Sequence, residues 1–473
     1  MGLAALVVIT CSATRERAPS TPAPSPGVAS VAPPPAPSSA PVAAASSAPP
    51  ATSAAPSVVT FTQLAPSTGQ GDPLARFRAA LGELAEHRRS DHVRILWLGD
   101  SHTASDLWTG PVRRALQERY GDGGPGFVHA GWGVGYRHDR VRVDAGKRWR
   151  PQPGDYARQK RYDDGVLGLG GVRLVPTEPG ARTAIEARAM PPGAARWELA
   201  YRLPDGSSLR VTPEGGPGSM LVPRGDHGVK RLSLRTASDH RVTIEATAGK
   251  PQLLGLVVEA TEPGVVLDTV GLNGARVGTF LAYDTASWQD EVARRHPDLV
   301  VLAFGTNETS DPSPEPARYE RQLTELLRRV HTATPGAACL VILPVDRAGA
   351  EYPARLAAIS EGFTLAASAA GCATWSALAA MGGPGSMATW SAEPSPRGGA
   401  DGVHLTARGY GHLGEAMARE LLRDAPAPAR RGEGTSTPTQ SPLVCADRGS
   451  ALGRYPDRQH LRDPGAARSW GHG

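Results

Sequence analysis

The chain has 473 residues, 40% of them hydrophobic and only 5% aromatic, with 55 Gly, 44 Pro and 4 Cys. That length leaves room for two or three domains, and so much Gly and Pro predicts disordered stretches beside a globular core. There is no run of eighteen apolar residues, the cysteines lack paired spacing, and most of the net charge of +5 falls at the chain ends. An internal membrane helix, a zinc ribbon and a basic nucleic-acid-binding domain are therefore excluded as expectations.

Residues 1–17 carry an apolar run ending at Cys11, similar to the end of a bacterial lipoprotein signal. No Arg or Lys precedes that run, and Thr10 stands where a smaller residue is usual. The expectation is export to the periplasm or cell envelope, with Cys11 as a lipid anchor. Residues 18–58 are almost only Pro, Ala, Ser, Val and Thr. They bury too little apolar surface to offset their ordering entropy and are expected to be a disordered, extended linker. Residues 425–473, Pro-, Arg- and Gly-rich with an unpaired Cys445, are expected to be a disordered tail.

Between these ends, Val93–Leu98 reads as a buried parallel strand, and a helix is predicted from Asp106 to Tyr120. Over residues 165–262 the period changes to two. Trp197, Leu199, Tyr201 and Leu203 alternate with Glu198, Ala200 and Arg202, and Asp205-Gly206 offers a hairpin turn. Seven or eight short strands here predict a β-sandwich. Val265–Val270, Asp298–Phe304 and Ala338–Leu343 are further apolar strand-like runs. Helices are predicted over Glu315–His331, Tyr352–Ala370 and Thr406–Leu422. Strands alternating with helices indicate a parallel α/β sheet. The predicted plan is an α/β domain in two parts, 92–150 and 264–424, with the sandwich inserted between them.

Four short motifs carry candidate chemistry. Gly99-Asp-Ser101-His102 directly follows the first strand, where an open parallel sheet places ligands. It makes Ser101 a candidate nucleophile, although Gly, Asp and Ser also form ordinary turns. Gly271-Leu-Asn-Gly274 offers an unobstructed amide, or a glycine needed only for backbone shape. Asn307, in Gly305-Thr-Asn-Glu308, is a candidate oxyanion donor or a cap for the next helix. Asp401-Gly-Val-His404 supplies a base with the right pKa range and a carboxylate to orient it.

Their order resembles the blocks of the SGNH (GDSL-type) hydrolases. That resemblance implies a three-layer α/β/α fold with a flavodoxin-like parallel sheet, here with an inserted β-sandwich, and esterase activity without a cofactor or metal. It places the nucleophile at Ser101, the oxyanion hole at Ser101, Gly274 and Asn307, and the rest of the triad at Asp401 and His404. His102 in place of Leu and Glu308 in place of Asp depart from the pattern. Gly121-Asp-Gly-Gly-Pro-Gly-Phe127 and Met381-Gly-Gly-Pro-Gly-Ser-Met387, added to these blocks, resemble the branch of bacterial peptidoglycan O-acetylesterases. That branch implies an acetylated glycan as substrate and a sandwich like carbohydrate-binding modules. Other polysaccharide or lipid esters, acetyl transfer and a non-catalytic glycan-binding role remain alternatives.

His129, His138 and His412 lack tight ligand spacing, so no metal site is expected. Trp132, Trp149 and Trp197 are read as core or rim residues before sugar-stacking ones. Cys339 reads as a core residue, and a bond to Cys372 is open in an oxidising compartment. Sequence alone leaves the oligomeric state open.

Overall fold

The structure is a computed structural model that describes residues 71–427, apart from 132–135, 156, 215–218, 223–227 and 238–239. The expectations for residues 1–58, Cys11, Trp132 and Cys445 lie outside the described residues.

Five strands form one all-parallel sheet: β1 (Val93–Gly99), β2 (Val265–Gly271), β3 (Leu299–Ala303), β4 (Ala338–Leu343) and β5 (Ala373–Ser376). Their spatial order is β2-β1-β3-β4-β5, the flavodoxin-like order, in which the polarity of winding switches beside β1. These strands read as continuous apolar runs because both faces of the sheet are covered. Ile95 and Trp97 point to one face, with Val301, Leu340 and Trp375. There they meet helices α1 (Ala75–Ala85), α2 (Thr109–Tyr120) and α6 (Ala407–Leu422). Leu96 and Leu98 point to the other face, with Val300, Leu302 and Val341. That face packs on α3 (Thr285–Arg294), α4 (Pro316–Ala333) and α5 (Tyr352–Ala369). The result is a three-layer α/β/α domain.

Helix α2 begins at Thr109 and not at Asp106, because Asp106 lies at φ 57°, outside helical backbone. Its buried carboxylate instead accepts from Arg113 and Thr109. Helix α1 precedes the expected start of the domain at residue 92, and its Phe77, Leu81 and Leu84 join the core.

The sandwich interrupts the α/β chain between α2 and β2. One sheet orders Lys230–Thr236, Ala195–Arg202, Gln252–Ala260, Arg173–Pro176 and Trp149–Gln152, with Gly126–Val128 also paired to Gln252–Ala260. The other orders Val141–Asp144, Arg182–Ala187, Arg241–Ala248, Ser208–Pro213 and Met220–Val222. Trp197, Leu199 and Val258 of the first pack with Ile185, Val211 and Ile244 of the second. Two expectations need correction. Three strands before residue 152 belong to the sandwich sheets, so it starts well before residue 165. Asp205-Gly206 is not a hairpin, since the strands on either side of it lie in different sheets and the turn carries the chain between them. Trp149 and Trp197 are buried, and Trp197 Nε1 donates to Thr236 Oγ1 at 2.9 Å. Ala425 and Pro426, expected to open the tail, instead pack on the domain, where their carbonyls accept from Arg119 and Tyr120; the expectation for residues 428–473 lies outside the described residues.

A buried ionic network ties the two modules together. Arg94 of β1 donates to Glu259 of the sandwich at 2.9 Å, and Arg295 bridges Glu259 and Asp268 of β2 at 2.7 and 2.8 Å. Such a network specifies one docking geometry more than it adds net stability.

Cys339 and Cys372 form a disulfide between β4 and the residue that precedes β5. The two lie side by side, one residue before the Leu340–Ala373 pair, at the opposite end of the sheet from the strand–helix loops described next.

Candidate active site

The loops at the carboxyl ends of β1, β2 and β3 carry Ser101, Gly274 and Asn307. Ser101 opens the short helix Ser101–Ala104, which Asp100 caps by accepting from the His102 amide at 2.9 Å. This turn sits directly on β2. A Cβ at Gly271 would approach the Ala104 nitrogen to 2.2 Å, so only glycine permits the contact. Gly274 lies at φ 74°, the left-handed region that favours glycine.

The loop before α6 brings Asp401 and His404 over the same spot. Ser101 Oγ donates to His404 Nε2 at 2.8 Å, and His404 Nδ1 donates to Asp401 Oδ2 at 2.6 Å. An ionised carboxylate can only accept, which places the imidazole proton on Nδ1 and leaves Nε2 as the acceptor. Asp401 Oδ1 also accepts from the amides of Val403 and His404 at 3.0 and 2.9 Å, so it shapes the loop that it serves. Partial burial opposes ionisation of Asp401. The hydrogen bonds from the His404 ring and these two amides, with the His404 charge, outweigh it and hold the pKa below the usual carboxylate range.

Asn307 Nδ2 donates to Ala275 O at 3.0 Å and makes a long 3.4 Å contact with Asp100 Oδ2. It thereby links the Gly274 loop to the strand that delivers Ser101. Burial pushes the Asp100 carboxyl up to about 8, with the charge of Glu308 adding to the effect and the His102 amide opposing it.

Two residues in this region were noticed in the sequence only as departures from a pattern. Glu308 is buried and accepts from the amides of Val277 and Gly305, both at 3.0 Å, so it holds the second and third loops in register. Burial raises its pKa against those hydrogen bonds. His102 is buried behind His404, with their ring centroids 5.3 Å apart. Its Nδ1 is hydrogen-bonded to Tyr410 Oη at 2.8 Å. Burial, aided by the His404 charge and opposed by Asp401, brings its pKa down to about 3. The side chains themselves gave no signal for these roles, because the partners are backbone amides and a tyrosine 308 residues away.

The Met381–Met387 motif lies beside the site and not in it. The Met387 amide donates to Asp346 at 2.8 Å, which braces the loop after β4. Among the described residues, Asp106, His138 and Asp139 come close enough to share a cation, but the Arg113 guanidinium already donates to both carboxylates. A second group joins His331 to Cys339 and Cys372, whose sulfurs are bonded to each other.

A nucleophile, a base and an orienting carboxylate in one hydrogen-bonded chain, beyond the switch point of a flavodoxin-like sheet, are suited to acyl transfer. A family model for the GDSL-like lipase/acylhydrolase family matches residues 240–412. The match leaves out Ser101, which the sandwich separates from the rest of the domain. A solved structure of a peptidoglycan O-acetylesterase is 26% identical with a TM-score of 0.64, covering 76% of this chain and 98% of that one. A lipase/acylhydrolase from Enterococcus faecalis is 20% identical, TM-score 0.27, covering 36% of this chain and 80% of its own. A family two carbohydrate esterase from Cellvibrio japonicus is 14% identical, TM-score 0.25, covering 60% and 97%. No curated protein matches the chain. Residues 240–412 match the GDSL-like lipase/acylhydrolase family, the chain is a carboxylic ester hydrolase, and it resembles the SGNH (GDSL-type) hydrolases and, among them, the peptidoglycan O-acetylesterase branch.

Proposed function

We propose that this enzyme removes O-acetyl groups from peptidoglycan or a related cell-wall glycan through an acetyl-Ser101 intermediate. The observation that carries the reading is the Ser101–His404–Asp401 chain, at 2.8 and 2.6 Å. Ser101 Oγ attacks the acetyl carbonyl as His404 Nε2 takes its proton, and Asp401 stabilises the imidazolium. The C–O bond to the sugar breaks, and His404 returns the proton to the leaving alcohol. Water, activated by His404, then releases acetate and restores Ser101.

The oxyanion is held by the amides of Ser101 and Gly274 and by Asn307. One Asn307 N–H is engaged by Ala275 O, while the other has only the long contact to Asp100 and is the donor offered to the substrate. The residues of this mechanism suffice without a cofactor. The choice of glycan is supported by the likeness to the peptidoglycan O-acetylesterase over three quarters of the chain. Action outside the cytoplasm, with Cys11 as a lipid anchor, is part of the proposal. The Cys339–Cys372 disulfide supports export, since such bonds persist in oxidising compartments.

The test is acetate release from O-acetylated peptidoglycan beside acetylated xylan. Preferential release from peptidoglycan is expected. Preference for xylan, or acetyl transfer to an added sugar in place of release, would overturn the reading.

A further inference from the structure

We infer that a cationic rim beside Asn307 binds a carboxylate of the substrate, so that the enzyme selects acidic O-acetylated glycans over neutral ones. This rests on the glycan-esterase reading above and names the substrate feature that the site would recognise.

Three arginines from three different elements converge on the single turn Asn307–Ser310. Arg276, two residues beyond Gly274, donates to Ser310 Oγ. Arg347, in the loop after β4, donates to Thr309 Oγ1 at 2.7 Å. Arg355, in the first turn of α5, donates to Thr309 O at 3.1 Å. All three are half-buried. The Arg347 guanidinium lies 4.0 Å from the centre of the Tyr352 ring, which holds it flat.

The carboxylates of this segment are engaged elsewhere. Glu308 faces inward to the Val277 and Gly305 amides, and Asp311 is bound by Arg318 and Tyr319, both at 2.9 Å. Each of the three guanidinium groups therefore meets only a hydroxyl or a carbonyl on this turn and keeps further donors. Glu308 and Asp311 offset part of the Arg276 charge, but the three guanidinium groups outnumber these carboxylates, so an arriving anion meets an excess of positive charge. Planar, forked donors match a carboxylate in particular.

The rim also adjoins the reacting groups. Asn307 begins the turn and touches Ala275. The Arg347 loop is joined to the triad loop by the Ala348 amide, which donates to Gly402 O at 2.8 Å. A short 3₁₀ turn rises about 2 Å per residue. The exposed Ser310 end of the turn, where Arg276 is bound, therefore lies about 6 Å along it from Asn307.

The test uses the full chain on O-acetylated peptidoglycan in three forms: untreated, with its carboxylates amidated by carbodiimide, and with its peptide stems removed enzymatically. Amidation is expected to lower kcat/KM roughly 10- to 100-fold, chiefly through KM, as loss of charge-assisted hydrogen bonds does. Arg276→Gln and Arg347→Gln are expected to bring the ratio between untreated and amidated glycan towards one. Loss of rate on stem removal would assign the carboxylate to the peptide, and retention would assign it to the sugar. Both are consistent with the proposal. Equal rates on untreated and amidated glycan, or variants that slow both forms alike, would overturn it and leave the esterase intact. A wild type inert on all three forms that still cleaves a small acetyl ester would overturn the glycan reading itself.

Discussion

Tyr410 Oη lies 2.8 Å from Nδ1 of His102. His102 follows Ser101 in the chain, and Tyr410 sits in the first turn of α6, six residues after His404. The bond therefore clips the segment bearing the nucleophile to the segment bearing the base. Positional errors near 1 Å cost about 100-fold in rate in comparable settings. Tyr410→Phe and His102→Leu are expected to lower kcat roughly 10- to 100-fold with little change in KM. A variant with full kcat would show that packing alone keeps Ser101 and His404 in register.

Asn307→Ala is expected to reduce turnover roughly 100- to 1,000-fold, the usual effect of losing one oxyanion donor. Pre-steady-state acylation should slow by the same factor. A loss confined to KM would mean that Asn307 binds the ground state and not the oxyanion.

Glu308→Gln replaces one acceptor with a donor aimed at a buried amide. A buried donor left unpaired costs about 1–3 kcal/mol, so denaturant titration should register a loss of that size, with kcat falling as the Gly274 and Asn307 loops lose register. An unchanged midpoint would remove Glu308 from this role.

The buried His102, His129 and His138 are expected to contribute to the acid limb of stability. Burial is the leading cause that lowers His102 and His138 to about 3 and His129 to about 4, from an ordinary 6.5. Between the folded and unfolded pKa values the unfolded chain binds more protons, so stability rises with pH in that interval. The contribution is complete above about 6.5 and is lost progressively as the pH falls towards 3 to 4. Urea midpoints measured from pH 7.5 to 4 should fall, and His129→Phe should flatten the slope. A flat profile in the wild type would contradict the assignment.

The Cys339–Cys372 bond closes a loop with a sequence separation of 33. The chain-entropy relation gives about 3–4 kcal/mol for a loop of that size. The double Ser variant is expected to melt lower by several degrees while keeping its kcat, because the bond lies at the end of the sheet away from Ser101. A drop in kcat at a temperature where the variant is fully folded would tie the disulfide to the site.

Much of this molecule was readable from the residues. Val93–Leu98, Val265–Val270, Asp298–Phe304 and Ala338–Leu343 announce a doubly covered parallel sheet, because such strands are apolar throughout. Motifs placed just after those strands converge in space, since all parallel strands end on one side. The sandwich was harder. Strands such as Val141–Asp144 are only four residues long and carry exposed Arg142, so they show no clean alternation. Asp205-Gly206 has hairpin chemistry, yet the chain crosses between sheets there, a tertiary choice that no local signal records. Helix α1 carries Phe77, Leu81 and Leu84 at helical spacing, a local signal that lies ahead of the first strand and of the domain start expected at residue 92. His102 and Glu308 stood out only as departures from a family pattern. Their functions depend on partners that folding brings close.

The most direct measurement is hydrolysis of a chromogenic acetyl ester by the full chain beside its Ser101→Ala variant, with circular dichroism establishing that both are folded. The account predicts turnover in the wild type, trapping of an acetyl group on Ser101, and a fall of several orders of magnitude in the variant. Equal turnover by the two proteins would contradict it, because the acyl group would then be passing through some residue other than Ser101.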